Sequence, residues 1–446
     1  MNTEKKKKIV ILGGGESGVG TAILAQKQGF DVFLSDSGRI KDNYRQALQA
    51  KGIRWEDGGH TEGEILSADE VVKSPGVPDA APIVKKLVEQ GIPILSELEF
   101  AKRFSRGKTI CITGSNGKTT TTTLIYYIMK RDGRDVGLAG NIERSFALQV
   151  AEGDHDWYVL EISSFQLDNM FDFKADISVL MNITPDHLDR YEFCLQHYID
   201  SKMRIIQNQD SGQSFVYWRQ DEHIEEELRK RFEEGYAPQP TPSSKPARRG
   251  RPTLCGFVDS DFERLGLQFS QMGQHNKRNA LAAYFATKIA GIDETTIRQC
   301  LSDFPGVEHR LERVAEKSGV LYINDSKATN VDACRVALQA MEKPTVLIVG
   351  GLDKGNDYSA IAPLVRQKCV GLVYLGADNA KLHSAFDKLG LPIVDTNNMR
   401  DCVSACQRMA KAGGAVLLSP CCASFDLFHN MEERGEQFKQ LVRELR

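Results

Sequence analysis

Short apolar runs that alternate with helical patterns along almost the whole chain limit its possible folds more than any other feature. Runs that read as strands occur at Lys8–Leu12, 31–35, 71–73, 109–113, Trp157–Glu161 and 177–182, and the series resumes at Val320–Asn324, 345–349, 371–375 and 415–419. Strands that alternate with helices form parallel sheets covered by those helices, so the fold class is α/β. Glycine loops punctuate strand ends in both series, and in such sheets ligands bind at those ends.

At 446 residues the chain has room for two or three domains at about 150 residues each. Soft boundaries before the second glycine loop and at the Phe304-Pro305-Gly306 interruption divide it into three expected domains, 1–97, 98–306 and 307–446. A net charge of -3 gives no global attraction to nucleic acid or to an anionic membrane. The ten cysteines are scattered without Cys-x-x-Cys spacing, which suits a reducing cytoplasm. The lysines at 5–8 read as a solvated tail, with too few apolar residues after them for a signal peptide. No apolar stretch approaches the roughly 20 residues that cross a bilayer, so a soluble protein is expected. The stretch 235–252, rich in proline, serine and arginine, cannot bury a core and is expected to be a flexible excursion of the middle domain, with a basic nucleic-acid contact as the lesser alternative.

The strand at 109–113 runs into Gly114-Ser115-Asn116-Gly117-Lys118-Thr119-Thr120 and then a helical pattern at 121–129. In a strand, glycine loop, helix sequence, backbone N–H groups and the positive helix end hold phosphate oxygens. The lysine adds charge at the β- and γ-phosphates, and the next hydroxyl can ligate Mg²⁺. This loop lacks the usual four residues between its glycines, so a plain structural turn is the competing reading. Downstream, Glu161 closes one strand, with Ser163 and Gln166 just beyond it. Asn182-Ile183-Thr184-Pro185-Asp186-His187 closes another, and a helix is expected from His187 to Tyr198 and Lys202. A carboxylate and an imidazole at strand tips of one sheet are useful Mg²⁺ ligands. Each alone is more often a surface or structural residue.

These blocks, together with Tyr198-Ile199-Asp200-Ser201-Lys202, resemble the central domain of the Mur ligases and their folylpolyglutamate relatives. The resemblance implies that Lys118, within the ATP loop of Gly114, Ser115, Asn116, Gly117, Thr119 and Thr120, holds the ATP phosphates. It implies that Thr119 and Glu161 ligate one Mg²⁺, that His187 helps with a second, and that Lys202 is carbamylated by CO₂ into an anionic ligand. Without the resemblance, Lys202 reads as a snorkelling helix lysine.

Near the start, Gly13-Gly14-Gly15-Glu16-Ser17-Gly18 satisfies G-x-G-x-x-G between a strand and a helix at 19–28, with Asp36 about 20 residues on. An NAD-dependent oxidoreductase is the main rival reading. The motif by itself requires only a diphosphate at a helix N-terminus beside a hydroxyl-bearing nucleoside, which UDP also offers, and a second phosphate loop is foreign to simple dehydrogenases. The Mur resemblance implies a Rossmann-like first domain that binds a UDP-linked precursor through Ser17, Gly18, Asp36, Ser37 and the Ser74-Pro75-Gly76 turn. It adds Asn141 at the diphosphate and Ser163 and Gln166 near the sugar. The serines are also ordinary turn formers.

In the last third, the segment with Asn276 and Asn279 resembles the family's adenine contact, with helix capping as the alternative, and Glu308-His309-Arg310 resembles the segment whose arginine serves the phosphates. The block Asn324-Asp325-Ser326-Lys327-Ala328-Thr329-Asn330 points within the family to the ligases that add D-glutamate. The resemblance gives Asp325 to the nucleotide ribose, Thr329 and Lys354 to one carboxylate of D-glutamate and Ser424, at an expected helix start over 423–428, to the other. Where the family carries an aromatic residue a turn later, this chain has Met431, which also reads as simple core. The expected protein is therefore a monomeric cytoplasmic ligase of three domains, Rossmann-like, P-loop ATPase and Rossmann-like. Its partners would be UDP-N-acetylmuramoyl-L-alanine, D-glutamate, ATP and two Mg²⁺ ions. A non-catalytic nucleotide sensor is disfavoured because Glu161, His187 and Lys202 are all present.

Overall fold

The computed structural model describes residues 6–142, 144–234, 251–271, 273–353 and 355–445. Most of the 235–252 stretch and Lys354 therefore lie outside the described residues. The strands form three sheets in chain order. The first contains β1 (Lys8–Leu12), β2 (Asp31–Asp36), β3 (Arg54–Asp57), β4 (Glu70–Lys73) and β5 (Ile94–Leu95), all parallel, in the order β3-β2-β1-β4-β5. The second contains β6 (Lys108–Thr113), β7 (Val136–Gly140), β8 (Trp157–Glu161), β9 (Ile177–Leu180), β10 (Ser214–Trp218) and β11 (Thr253–Phe257), also all parallel, in the order β11-β10-β9-β6-β8-β7. The central strands are apolar on both faces; Ile9, Val10, Ile11 and Leu12 are all fully buried. That is what helices on both sides of a parallel sheet demand. In each sheet the strand order reverses at its first strand, and the crevice at such a reversal is where open α/β sheets bind ligands. Both glycine loops sit there, one after β1 and one after β6.

The third sheet contains β12 (Glu312–Lys317), β13 (Val320–Asn324), β14 (Thr345–Gly350), β15 (Cys369–Leu375), β16 (Ile393–Thr396) and β17 (Ala415–Cys421), ordered β12-β13-β17-β14-β15-β16. Its edge departs from the all-parallel expectation, because β12 runs antiparallel to β13. Ser318 and Gly319 join them with φ of 50° and 74°, the doubly left-handed turn that closes a two-residue hairpin.

The chain divides into two compact units, Met1–Phe269 with His275–Phe304, and Ser270–Gln274 with Pro305–Arg446. The first two sheets share a unit because one apolar core runs through both, from Ile9, Val19 and Leu24 to Phe146, Tyr158 and Leu160. The helix Glu16–Lys27 lies so close to the helix Phe146–Glu152 that a Cβ on Gly20 would stand 2.2 Å from Ser145 Oγ.

Candidate active site

The loop after β6 owes its shape to its glycines. Gly114 and Gly117 have φ of 147° and 85°, where other residues are strained, and a Cβ on Gly117 would lie 2.4 Å from Asn279 Oδ1. Gly117 then caps the helix Lys118–Arg131, whose first amides face the loop. The chain after β9 forms the loop's floor. Ser115 N donates to Asn182 O at 2.9 Å, Asn116 N to Asn182 Oδ1 at 2.9 Å, and Ser115 Oγ to Thr184 O at 2.9 Å.

Two amines converge on one backbone oxygen. Lys118 Nζ donates to Gly114 O at 2.8 Å, and Lys202 Nζ donates to the same oxygen at 3.0 Å from the helix Leu195–Met203. Lys202 is 2% exposed and lies over the Tyr198 ring, 4.5 Å from its centre. Burial, and then the charge of Lys118, hold its ammonium well below the usual lysine range. The helix expected from His187 to Lys202 is broken. A 3-10 turn at Leu188–Arg190 precedes Leu195–Met203, because His187, Glu192 and Phe193 all have positive φ. His187 is consequently exposed, edge-on to Phe165 at 5.2 Å and with Nε2 3.6 Å from Asp186 Oδ2.

Glu161 ends β8, paired in register with Ile112 of β6. It is 3% exposed, and Oε1 accepts from Asn141 Nδ2 at 3.1 Å. Its other oxygen, Oε2, is buried without a hydrogen-bond partner among the described residues. An unpaired buried carboxylate oxygen fits a cation. Thr119, one residue after the loop lysine, is also buried. Ser163 and Gln166 form a reciprocal capping box on a short helix, and Gln166 Nε2 is buried without a partner. Asn276 and Asn279 fall inside the helix Gln274–Ile289, not at a cap; Asn279 Nδ2 donates to Asn276 Oδ1 at 3.0 Å and its carbonyl side faces Gly117.

In the first sheet's loop, Asp36 accepts from Gly14 N at 2.6 Å and Gly38 N at 2.7 Å, so both its oxygens already shape the loop. Gly18 has a packing reason of its own, since a Cβ there would stand 1.8 Å from Gly13 O. Ser17 is half-buried, and Ser37 and Gly76 are exposed beside the strand ends.

The second unit gathers its candidates around β13 and β17. Asp325, 5% exposed, accepts from Ser419 Oγ at 2.8 Å and Leu311 N at 3.1 Å, and burial pushes its carboxyl up to about 7. Thr329 is exposed, whereas Ser424 is buried. The segment 423–428 is a single turn closed by Phe428 N on Ser424 O at 2.9 Å, not a helix start, so Ser424 has no helix end to draw on. Gly351, with φ of 129°, lets the chain after β14 lie against Ala423, where Leu352 N donates to Ala423 O at 2.9 Å. Met431 opens the helix Met431–Glu444 half-buried.

Family models agree with this arrangement along the chain: the Mur ligase MurD-like N-terminal domain over residues 7–96, the Mur ligase middle domain over 112–287 and the Mur ligase glutamate ligase domain over 309–422. The UDP-N-acetylmuramoylalanine--D-glutamate ligase of Bacteroides fragilis (strain ATCC 25285) is 56% identical over 448 residues, covering 98% of this chain and 100% of that protein. The chain belongs to the Mur ligase family. The Porphyromonas gingivalis (strain W83) protein of the same name is 47% identical, covering 98% of each chain. In fold the chain is similar to the UDP-N-acetylmuramate-alanine ligase of Thermotoga maritima, with a TM-score of 0.59 at 18% identity over 98% of this chain and 99% of that one.

For a Mur ligase read from sequence, the first unit brings Lys118, Thr119, Glu161, Lys202 and Asn279 to the ends of one sheet, and places His187 on the exposed rim. Sequence reasoning placed Asn182 at a strand end but gave it no role, whereas its side chain clasps Asn116 from both sides. It missed Glu97. This acid is 1% exposed and accepts from Ser145 Oγ at 2.5 Å and Ala147 N at 2.9 Å, and burial raises its pKa. Glu99, two residues on, is buried as well, at 3% exposure, and nothing in the local pattern Ser96-Glu97-Leu98-Glu99 marks either acid as inward-facing.

Proposed function

We propose that this Mur ligase adds D-glutamate to UDP-N-acetylmuramoyl-L-alanine with ATP, through an acyl phosphate, in peptidoglycan precursor synthesis. The observation that carries the chemistry is the glycine loop after β6, where Lys118 and the buried Lys202 share the Gly114 carbonyl, with the unpaired Glu161 oxygen at the end of the adjacent strand β8. Such a locus calls for polyphosphate and a metal ion.

A carboxylate is a poor acyl donor because its leaving group would be oxide. Its oxygen attacks the γ-phosphorus of ATP, the bond to the β–γ bridging oxygen breaks and ADP departs. The D-glutamate nitrogen then adds to the acyl carbon, the tetrahedral intermediate expels phosphate, and the nitrogen gives up its proton. The loop amides and Lys118 position the γ-phosphoryl group and neutralise its charge. Mg²⁺, two ions in this reading, would be held by Thr119, Glu161, His187 and carbamylated Lys202 and would supply further neutralisation. The depressed Lys202 supports the carbamate, since a neutral amine attacks dissolved CO₂ and loses a proton in doing so. Asn276, Asn279, Arg310 and Asp325 serve the nucleotide. Ser17, Gly18, Asp36, Ser37, Gly76, Asn141, Ser163 and Gln166 serve the UDP precursor. Thr329, Lys354 and Ser424 serve the acceptor's carboxylates, and the enzyme acts as a cytoplasmic monomer.

The test supplies the precursor and ATP with D-glutamate, L-glutamate, L-lysine, diaminopimelate or L-alanine in turn, and follows ADP release and peptide product. D-glutamate is expected to be preferred. Preference for another acceptor overturns the acceptor assignment, and ADP release without any amide product overturns the ligase reading.

A further inference from the structure

The turn that presents Arg310 is held in a strained backbone conformation. His309 and Leu311, on either side of it, have φ of 60° and 44°, a left-handed conformation that non-glycine residues hold only where their surroundings impose it. The surroundings do so. His309 N donates to Glu312 Oε2 at 2.9 Å, Leu311 N donates to Asp325 Oδ1 at 3.1 Å, and Asn324 Nδ2 donates to Glu312 Oε2 at 3.0 Å. Arg310 Nε is buried and has no hydrogen-bond partner among the described residues, so the strain presents a cation that the fold itself leaves incompletely satisfied.

Behind the turn stands the C-terminal helix. Gly435 leaves room for His309, since a Cβ there would lie 2.2 Å from His309 Nδ1. One turn further on, Lys439, 3% exposed, bonds Glu308, lies 2.6 Å from Glu436 Oε1 and reaches Glu312 Oε1 at 3.4 Å. Glu308, His309 and Glu436 bring ligand atoms close enough to hold a metal ion, but the Lys439 ammonium already supplies the cation they face. Glu308 and Glu312 bracket the strained turn at its two ends.

We propose that Lys439 is a positioning residue for the nucleotide. By tying Glu308 and Glu312 to the C-terminal helix, it holds the 308–312 turn in the conformation that presents the Arg310 guanidinium. The inference rests on the reading of Arg310 as a residue that serves the ATP phosphates.

The experiment measures kcat and KM separately for ATP and for the UDP precursor in the full chain carrying Lys439→Met, Lys439→Arg, Arg310→Ala and the Arg310→Ala/Lys439→Met pair, with thermal melting of each. Lys439→Met is expected to lose about 10- to 100-fold in kcat/KM for ATP, as a misplaced positioning group does, with KM for the precursor unchanged. Lys439→Arg should recover most of the loss, and the pair should be no worse than Arg310→Ala alone. Should Lys439→Met fail to fold, Glu308→Gln, which removes one tie and keeps the ammonium, is expected to raise KM for ATP in the same direction. Wild-type ATP parameters in a folded Lys439→Met, or equal losses for both substrates, overturn the inference while a defective Arg310→Ala leaves the Arg310 reading standing. Wild-type behaviour of Arg310→Ala overturns both.

Discussion

Lys202 and Lys439 are withdrawn from solvent almost equally, at 2% and 3% exposure, and their charges meet opposite fates. Lys202 faces a backbone carbonyl, an aromatic ring and the neighbouring charge of Lys118, so burial outweighs the attraction of Asp186 and Asp168 and its pKa falls well below 10.5. Around Lys439 stand three carboxylates, and its hydrogen bonds to Glu308 and Glu436 outweigh burial and raise its pKa. Burial alone therefore says nothing about what a lysine is for. An amine stripped of counter-charge is a nucleophile in waiting, and one surrounded by carboxylates is a permanent cation that organises backbone.

The largest expected effect breaks the comparison at Lys202. Lys202→Ala should lower kcat by about 10²–10³-fold, the loss typical of one preorganised charge, and an added short-chain carboxylic acid should restore part of it. Lys202→Arg should stay inactive, in contrast to Lys439→Arg. A full rate in Lys202→Arg would reduce both lysines to structural cations.

Stability sharpens the contrast. Below pH 10.5 the unfolded chain binds a proton at Lys202 that the folded chain resists, so this amine opposes folding at neutral pH and the penalty fades as pH rises toward 10.5. Lys439 works the other way, its contribution complete below 10.5 and lost as pH rises through its elevated folded value. In CO₂-free buffer at neutral pH, Lys439→Met should destabilise by about 2 kcal/mol, less than a fully buried pair because Glu308 and Glu436 are half exposed. Lys202→Met should stabilise, because it removes an amine whose charged form burial disfavours. Melting curves that move in the same direction for both variants would erase the distinction.

The smallest effect extends the comparison to an acid. Asp325 is buried like Lys202, with a hydroxyl and an amide as its direct partners, and its folded value of about 7 lies above the ordinary 3.8. Between these values the folded protein holds a proton that the unfolded chain has released, so stability falls as pH rises through the window, by at most about 1.4 kcal/mol per pH unit. Asp325→Asn cannot ionise. Its melting temperature relative to wild type should therefore be more favourable at pH 8 than at pH 5, and a pH-independent difference would mean that Asp325 is ionised throughout.

Much of the first unit was legible because its function is written in short contiguous blocks. The strand before Gly114, the glycines that need positive φ and the lysine that follows are local requirements of one turn, and local requirements appear as local spacing. The tips of β8 and β9 were readable for the same reason, since polar residues directly after an apolar run mark a strand's end. The broken helix before Lys202 and the turn at 423–428 were misread, and the antiparallel β12 was not read at all. The broken helix and β12 depended on backbone conformations, at His187, Phe193 and Ser318, that non-glycine residues adopt only under tertiary constraint.

The sequence by itself determined the α/β class, the two glycine loops and the family, because periodicity and motif spacing are properties of neighbours along the chain. Which buried charges find partners was decided only by the tertiary structure. Lys439 meets Glu308 across 131 positions and Lys202 meets Gly114 across 88. Coulomb and desolvation energies depend on distances in space, and nothing in the residues flanking either lysine records them.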